Sequence, residues 1–77
     1  MKLSYKESRE LEQLPVRIEA LEAEQRALTS AMGRGDYHLR GAEQMRFDAL
    51  RAREIEQELE LAFERWVELD ARRGPSR

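Results

Sequence analysis

The sequence contains no cysteine, and this absence excludes disulfide bonds and thiolate metal sites. Its single histidine, His38, cannot form a zinc site alone. Glycine and proline are scarce, with four and two residues, and aromatic residues make up only 6% of the chain. No apolar run is long enough to span a bilayer, and no apolar signal segment follows Met1. In a chain of 77 residues, the absence of these features predicts one small, soluble, cytoplasmic domain without covalent or metal cross-links.

Charged residues are abundant instead, at 39%, together with Ala and Leu, and this composition is typical of long helices or coiled coils. The net charge of −2 conceals a segregation along the chain. Three segments are basic. Residues 1–9 hold three cations and one anion, residues 34–53 hold five cations and three anions, and residues 71–77 hold three cations and no anion. Acidic segments at 10–33 and 54–70 hold five and seven anions against two cations and one. The distribution therefore says more about partners than the average charge does.

The first helix is signalled by Ser4 followed by Glu7, a spacing that predicts a capping box. After it, apolar residues recur three and four apart, which is the a/d pattern of a coiled coil. We therefore predict core positions at Leu11, Leu14, Ile18, Leu21, Leu28 and Met32. Gln25 occupies the same line of residues, either as a tolerated polar residue at the core edge or as a residue that sets the register.

The second helix shows the same pattern after a loop at residues 33–41, in which Gly33 is the expected cap of the first helix. Its predicted core residues are Ala52, Ile55, Leu59, Ala62, Phe63, Trp66 and Leu69. Nearer the loop, a strict continuation of the pattern places Asp48 in the core, whereas Met45, Phe47, Ala49 and Leu50 indicate a local shift of the pattern. Tyr5, Phe63 and Trp66 are expected to pack together as an aromatic cluster, with a base-stacking surface as the alternative.

We therefore predict an all-α fold, an antiparallel two-helix coiled-coil hairpin with one domain over residues 1–77. Pro15 predicts a kink or break of the first helix at Leu14–Pro15, giving segments of about 5–14 and 15–32, because proline lacks an N–H donor. The second helix is expected over about 42–73, ended by Gly74–Pro75. A monomer or a weak homodimer through the same apolar stripe is expected.

No catalytic constellation is apparent in the sequence, and a thin hairpin offers no enclosed pocket for one. Gly33 and Gly35 do not follow a strand and lack a phosphate-binding motif. We therefore expect no catalytic residue and no metal site in this chain.

The stretch KLSYKESRELEQLPVRIEALEAEQ (residues 2–25) resembles the C-terminal coiled-coil domain of the ABC-F ATPases, in particular those of the bacterial Uup type. The stretch LELAFERWVEL (residues 59–69) and the loop residue Tyr37 are similar to the same family. The resemblance implies a fragment of a larger protein whose ATP-binding cassettes, with ATP and Mg²⁺ as cofactors, lie elsewhere. It also implies a nucleic-acid-binding module, with DNA as the expected partner and the ribosome or a protein partner as the alternative.

The residues allow such binding, because a hairpin brings the basic termini together. The expected phosphate-binding residues are Lys2, Lys6, Arg9, Arg72, Arg73 and Arg77. A secondary basic patch is expected around the turn, at Arg34, Arg40, Arg46, Arg51 and Arg53. Their contacts with phosphate would be independent of nucleic-acid sequence and sensitive to salt. The alternative is a structural or interaction coiled coil that positions the ATPase cassettes.

Overall fold

The structure, a computed structural model, describes residues 2–73. Helix α1 covers Tyr5–Met32 and helix α2 covers Ala42–Arg72, joined by a segment that contains a short 3-10 helix at Tyr37–Arg40. Ion pairs such as Glu10–Arg65 and Glu24–Arg51 show that the two helices run antiparallel. The predicted all-α helical hairpin is confirmed. Arg77 and the expected stop at Gly74–Pro75 lie outside the described residues, and no helix within residues 2–73 is long and apolar enough to cross a membrane.

The start of α1 is fixed by the capping box that the sequence predicts. The Glu7 backbone N–H donates to Ser4 Oγ at 3.1 Å, and the Ser4 backbone N–H donates to Glu7 Oε1 at 3.0 Å. Two donors that have no partner within the helix are thereby satisfied. At the other end of α1, the N–H of Gly33 donates to the carbonyl of Thr29, so that Gly33 caps the helix as expected.

Helix α1 continues through Pro15 and does not divide into the two segments that the sequence predicts. Leu11, Leu14 and Ile18 are all buried against α2. These three residues share one line only if the helix keeps its phase across the proline. Proline removes a single backbone hydrogen bond at this point, and the packing on both sides holds the helix together.

The core is a single line of apolar side chains between the two helices. Its buried residues from α1 are Leu11, Leu14, Ile18 and Leu21, and those from α2 are Ile55, Leu59, Ala62 and Leu69. Leu3, Leu28 and Trp66 are partly buried against this line, and Ala52 is also partly buried. Ile55 and Leu69 are completely inaccessible to solvent.

Three residues depart from the predicted packing. Phe63 is 45% exposed and Met32 is 37% exposed, so neither is a core residue. Tyr5 is 77% exposed, and the expected aromatic cluster is therefore not formed; Leu3 covers that end of the core instead. Phe63 and Tyr5 lie beside the line of contact between the two helices, where no third element covers them. Met32 lies on that line but is the last residue of α1.

The loop end of the hairpin is closed by a polar contact. Tyr37 and Asp48 are both buried, and the Tyr37 hydroxyl donates to Asp48 Oδ2 at 2.7 Å. The Gln44 amide donates to Asp48 Oδ1 at 2.9 Å, so both carboxylate oxygens have a partner. Gly41, whose φ of 96° suits glycine, separates the 3-10 helix that carries Tyr37 from α2. Asp48 therefore occupies a core position because the loop folds back to satisfy it.

The difference between Ile55 and Phe63 gives a first prediction. Ile55→Ala should lower the free energy of unfolding by about 2–5 kcal/mol, because it leaves a cavity in the core. Phe63→Ala should cost clearly less, since nearly half of that side chain already contacts solvent. Urea denaturation of both variants measures the difference, and equal losses would mean that Phe63 is a core residue after all.

The Tyr37–Asp48 contact gives a second prediction. Tyr37→Phe should lower the urea midpoint, because it leaves a buried carboxylate oxygen without its donor. Adding Asp48→Leu to that variant should restore much of the loss, since an apolar side chain needs no partner. His38→Ala, which changes an exposed neighbour, serves as the control and should leave the midpoint unchanged. A Tyr37→Phe variant as stable as this control would contradict the structure.

Candidate nucleic-acid interface

The two sides of the core line differ in charge. In an antiparallel coiled coil the g positions of both helices meet on one side of the core, and the e positions meet on the other. We call the g side the ladder face; it consists of Glu10, Arg17 and Glu24 in α1 and Arg51, Glu58, Arg65 and Arg72 in α2. We call the e side the groove face; it is centred on Pro15 and Glu22 in α1 and on Glu56 and Phe63 in α2.

The ladder face is a series of ion pairs between the helices. The Arg65 guanidinium donates to both oxygens of Glu10, at 2.7 and 3.0 Å, and that of Arg51 donates to both oxygens of Glu24, at 2.7 Å each. Arg17 forms an ion pair with Glu58, with 3.2 Å between a guanidinium nitrogen and Oε1. The bidentate contacts of Arg51 and Arg65 add geometric specificity to the charge attraction, and they therefore help to fix the register of the two helices.

At the end where the termini meet, Glu7 joins the ladder. It accepts from Arg72 at 2.9 and 3.1 Å while it also caps α1. The Ser4 backbone N–H, more than Arg72, lowers the pKa of the Glu7 carboxyl. The Arg65 guanidinium lowers the pKa of Glu10, and the Arg51 guanidinium lowers that of Glu24. At the loop, burial and then the Asp48 carboxylate raise the pKa of Tyr37.

The structure separates the predicted phosphate-binding residues of the open end into two groups. Arg72 pairs with Glu7 and Glu68, and Arg73 pairs with Asp70. Lys2, Lys6 and Arg9 are exposed, and none forms an ion pair with another residue in the described range. Arg9 instead contacts Tyr5, with its guanidinium carbon 6.0 Å from the ring centre and a hydrogen bond to the hydroxyl at 3.2 Å. Of the five described residues of the expected basic end, Arg72 and Arg73 are therefore neutralised and the other three are not.

The secondary patch is divided in the same way. Arg51 is engaged by Glu24, Glu54 and Glu58 on the ladder face. The other members of the patch are exposed and make no ion pair with any carboxylate in residues 2–73. We call these four residues the turn-end arginines: Arg34, Arg40, Arg46 and Arg53.

Two further residues belong to this surface and were missed by sequence reasoning. Arg26 in α1 is exposed and holds the same outer heptad position, b, as Arg46 and Arg53 in α2. The shared position places all three on the outer edges of the groove face, near the turn. Phe47 is 67% exposed and shares a shallow groove with Arg40. The heptad frame could have identified Arg26, whereas the exposure of Phe47 needed the packed structure.

Within residues 2–73, no group of three or more His, Cys, Asp or Glu side chains is arranged to hold a metal ion. Turn-end arginines and ladder arginines carry the same group, but only the former present it to solvent without a carboxylate.

The sequence model of the family described as the ABC transporter C-terminal domain matches residues 2–71. The chain belongs to this family. It is 46% identical over 70 residues to the ATP-binding protein Uup of Escherichia coli (strain K12), an alignment that covers 91% of this chain. The chain spans only 11% of the length of that relative. No solved structure matches the chain.

These matches confirm the resemblance to the C-terminal domain of the Uup-type ABC-F proteins. The family match covers both of the stretches on which the resemblance was based, residues 2–25 and residues 59–69.

The lowered pKa values predict how stability depends on pH. Glu7, Glu10 and Glu24 bind protons less readily in the folded chain than in the unfolded chain. Their contribution is therefore complete above the unfolded pKa of about 4.3 and is lost as the pH falls through the folded values. The thermal midpoint should stay level from pH 7 to about 5 and then fall steadily on acidification.

Glu10→Gln combined with Glu24→Gln should lower the midpoint at pH 7 and make the decline in acid shallower. Glu12→Gln combined with Glu19→Gln is the matched control, since both carboxylates are exposed and form no ion pair in the described residues. It should keep the slope of the original protein. Parallel acid titration curves for the two double variants would show that the ladder does not stabilise the hairpin.

Proposed function

We propose that this domain is a nucleic-acid-binding accessory coiled coil, with DNA as its ligand and phosphate as the group it contacts. The observation that carries the proposal is the set of turn-end arginines, which are exposed and free of carboxylate partners within residues 2–73. Arginine binds phosphate through several N–H donors, and such contacts depend little on base sequence. Lys2, Lys6 and Arg9 form a second basic surface at the opposite end.

The position of the arginines favours the turn as the principal contact. A ladder arginine such as Arg65 could bind a phosphate only by leaving Glu10, which would cost the pair that holds the helices together. A turn-end arginine gives up no such partner. Phe47, exposed in the same region, offers a ring on which an unpaired base could stack.

The middle of the hairpin is unsuited to nucleic acid. Glu56, Glu60 and Glu64 are exposed and make no ion pair in the described range. Their charge would repel the phosphate backbone. Contact is therefore expected at the ends of the rod, which is 54 Å long, and not along its length.

The relative is named an ATP-binding protein, and we propose that this chain works as an accessory part of such a protein. The residues of the hairpin do not themselves fit a nucleotide. Gly33, Gly35 and Gly41 lie in the helix–helix turn, whereas the ATP site of an ATP-binding cassette uses a glycine-rich loop between a strand and a helix. ATP and Mg²⁺ would therefore be bound by other segments of the parent protein, and this domain would be non-catalytic.

The test is fluorescence anisotropy with a mixed-sequence DNA duplex between about 50 and 200 mM salt. The domain should bind weakly, with log affinity falling as log salt rises. Arg46→Gln combined with Arg53→Gln should weaken binding at every salt concentration. The plot of log affinity against log salt concentration should also become less steep, by about 0.9 for each phosphate that the variant no longer binds.

Arg17→Gln combined with Arg65→Gln removes the same charge from the ladder face and is the matched control. It should weaken binding less, provided that circular dichroism shows the helices intact. A domain that binds neither duplex nor single-stranded DNA at the lowest salt would refute the proposed function. Equal effects of the two double variants would leave DNA binding in place but move it away from the turn.

A further inference from the structure

The groove face carries an apolar depression near the open end of the hairpin. Pro15 and Ile18 form its α1 wall, and Phe63, Trp66 and Val67 form its α2 wall. Its volume is about 550 Å³. Phe63 and Val67 are 45% and 60% exposed, so the apolar surface is open to solvent. The ladder face at the same level is occupied by ion-paired side chains, so the depression lies on one side of the hairpin only.

The rim of this depression is acidic. Glu19 and Glu22 line its α1 side. Glu12 in α1 and Glu56 and Glu60 in α2 occupy neighbouring heptad positions on the same face. None of these five carboxylates makes an ion pair with another described residue. The acidic charge left over after the ladder is formed is therefore concentrated around the exposed apolar patch.

A second copy of the hairpin is a poor occupant for this surface. A symmetric dimer pairs a patch with itself, so Glu19 and Glu22 would meet the same residues of the other copy. Like charges brought together at a contact oppose association. Nucleic acid is disfavoured for the same reason, because its phosphates would face the acidic rim.

A helix with basic flanks satisfies both features. The depression runs between two parallel walls, and an amphipathic helix could place its apolar stripe there as the third helix of a bundle. Lysine or arginine on both sides of that stripe would lie against the glutamates of the rim. We propose that this depression, on the part of the groove face near the open end, is the docking site for a basic amphipathic helix of a protein partner.

The site is separate from the turn-end arginines, and it does not depend on DNA binding. The turn carries exposed cations, whereas the depression carries exposed apolar groups and anions; the cation Lys2 lies in the adjoining hollow, which shares Pro15 and Trp66 with it. One hairpin would thus present a surface that prefers anionic partners and another that prefers cationic partners. Loss of binding at one surface would not imply loss of binding at the other.

The experiment uses the fluorescence of Trp66, the only tryptophan of the chain, which lies in the α2 wall. The probe is a tryptophan-free, three-heptad peptide with leucine at its apolar positions and lysine at the flanking ones. Its titration should shift the Trp66 emission to shorter wavelength in a saturable manner. The same peptide with glutamate in place of lysine should bind at least tenfold more weakly, which corresponds to a binding free energy less favourable by about 1.4 kcal/mol.

Two pairs of variants locate the binding. Val67→Glu should weaken binding of the lysine peptide about tenfold or more, because it places a charge in the groove. Val16→Glu makes the same change on a similarly exposed valine outside the depression and should alter the affinity less than twofold. Glu19→Lys should weaken binding, and Glu43→Lys, far from the depression near the turn, should not.

The proposal is overturned if saturating lysine peptide leaves the Trp66 emission unchanged. Equal binding of the two valine variants, or of the lysine and glutamate peptides, also overturns it. A Trp66 shift on adding DNA that Val67→Glu abolishes would identify nucleic acid as the occupant instead. A shift that appears on concentrating the domain alone would identify a second copy, and sedimentation would show that dimer.

Discussion

Burial of a single line of apolar side chains is the constraint on which this structure depends. Two helices can cover only the residues that lie directly between them, and among residues 2–73 the side chains that reach complete burial are Ile55 and Leu69. Every residue beside that line stays partly in water. The flanks must therefore be stabilised by charge and by polar contacts, since there is no second layer to extend the apolar core. This explains why so small a fold devotes so much of its sequence to glutamate and arginine.

The flanking charges are used unequally. On the ladder face, glutamate and arginine alternate between the helices and hold each other, as Glu10 and Arg65 do. Within residues 2–73, the groove-face glutamates form no ion pair with an arginine, and the turn-end arginines form none with a glutamate. Unmatched charge is what remains available for partners. The same asymmetry thus separates the groups that stabilise the hairpin from those proposed to bind nucleic acid or a basic helix.

Much of the fold could be predicted because the signals are local and periodic. The Ser4–Glu7 capping box, the heptad line from Leu11 to Leu28 and the glycine-rich turn each involve residues a few positions apart. A strict heptad frame places Asp48 in the core, but the neighbouring apolar residues indicated a shifted frame, and periodicity does not reveal the partner of Asp48. Tyr37 reaches it only because the 3-10 helix folds back over α2. Phe63 was expected in the core and Tyr5 in an aromatic cluster with it, and the narrowness of the hairpin leaves both exposed.

The sequence alone determined that this chain forms two antiparallel helices, which ends of them are basic, and to which family they are similar. It could do so because helical period, capping and charge are properties of neighbouring residues. The tertiary structure decided which arginines are available, since Arg51 and Arg46 look alike until one of them is paired with Glu24. It also showed that Pro15 lies within a continuous helix. Pairing and burial depend on what the opposite helix brings to each position, and only the folded hairpin sets that.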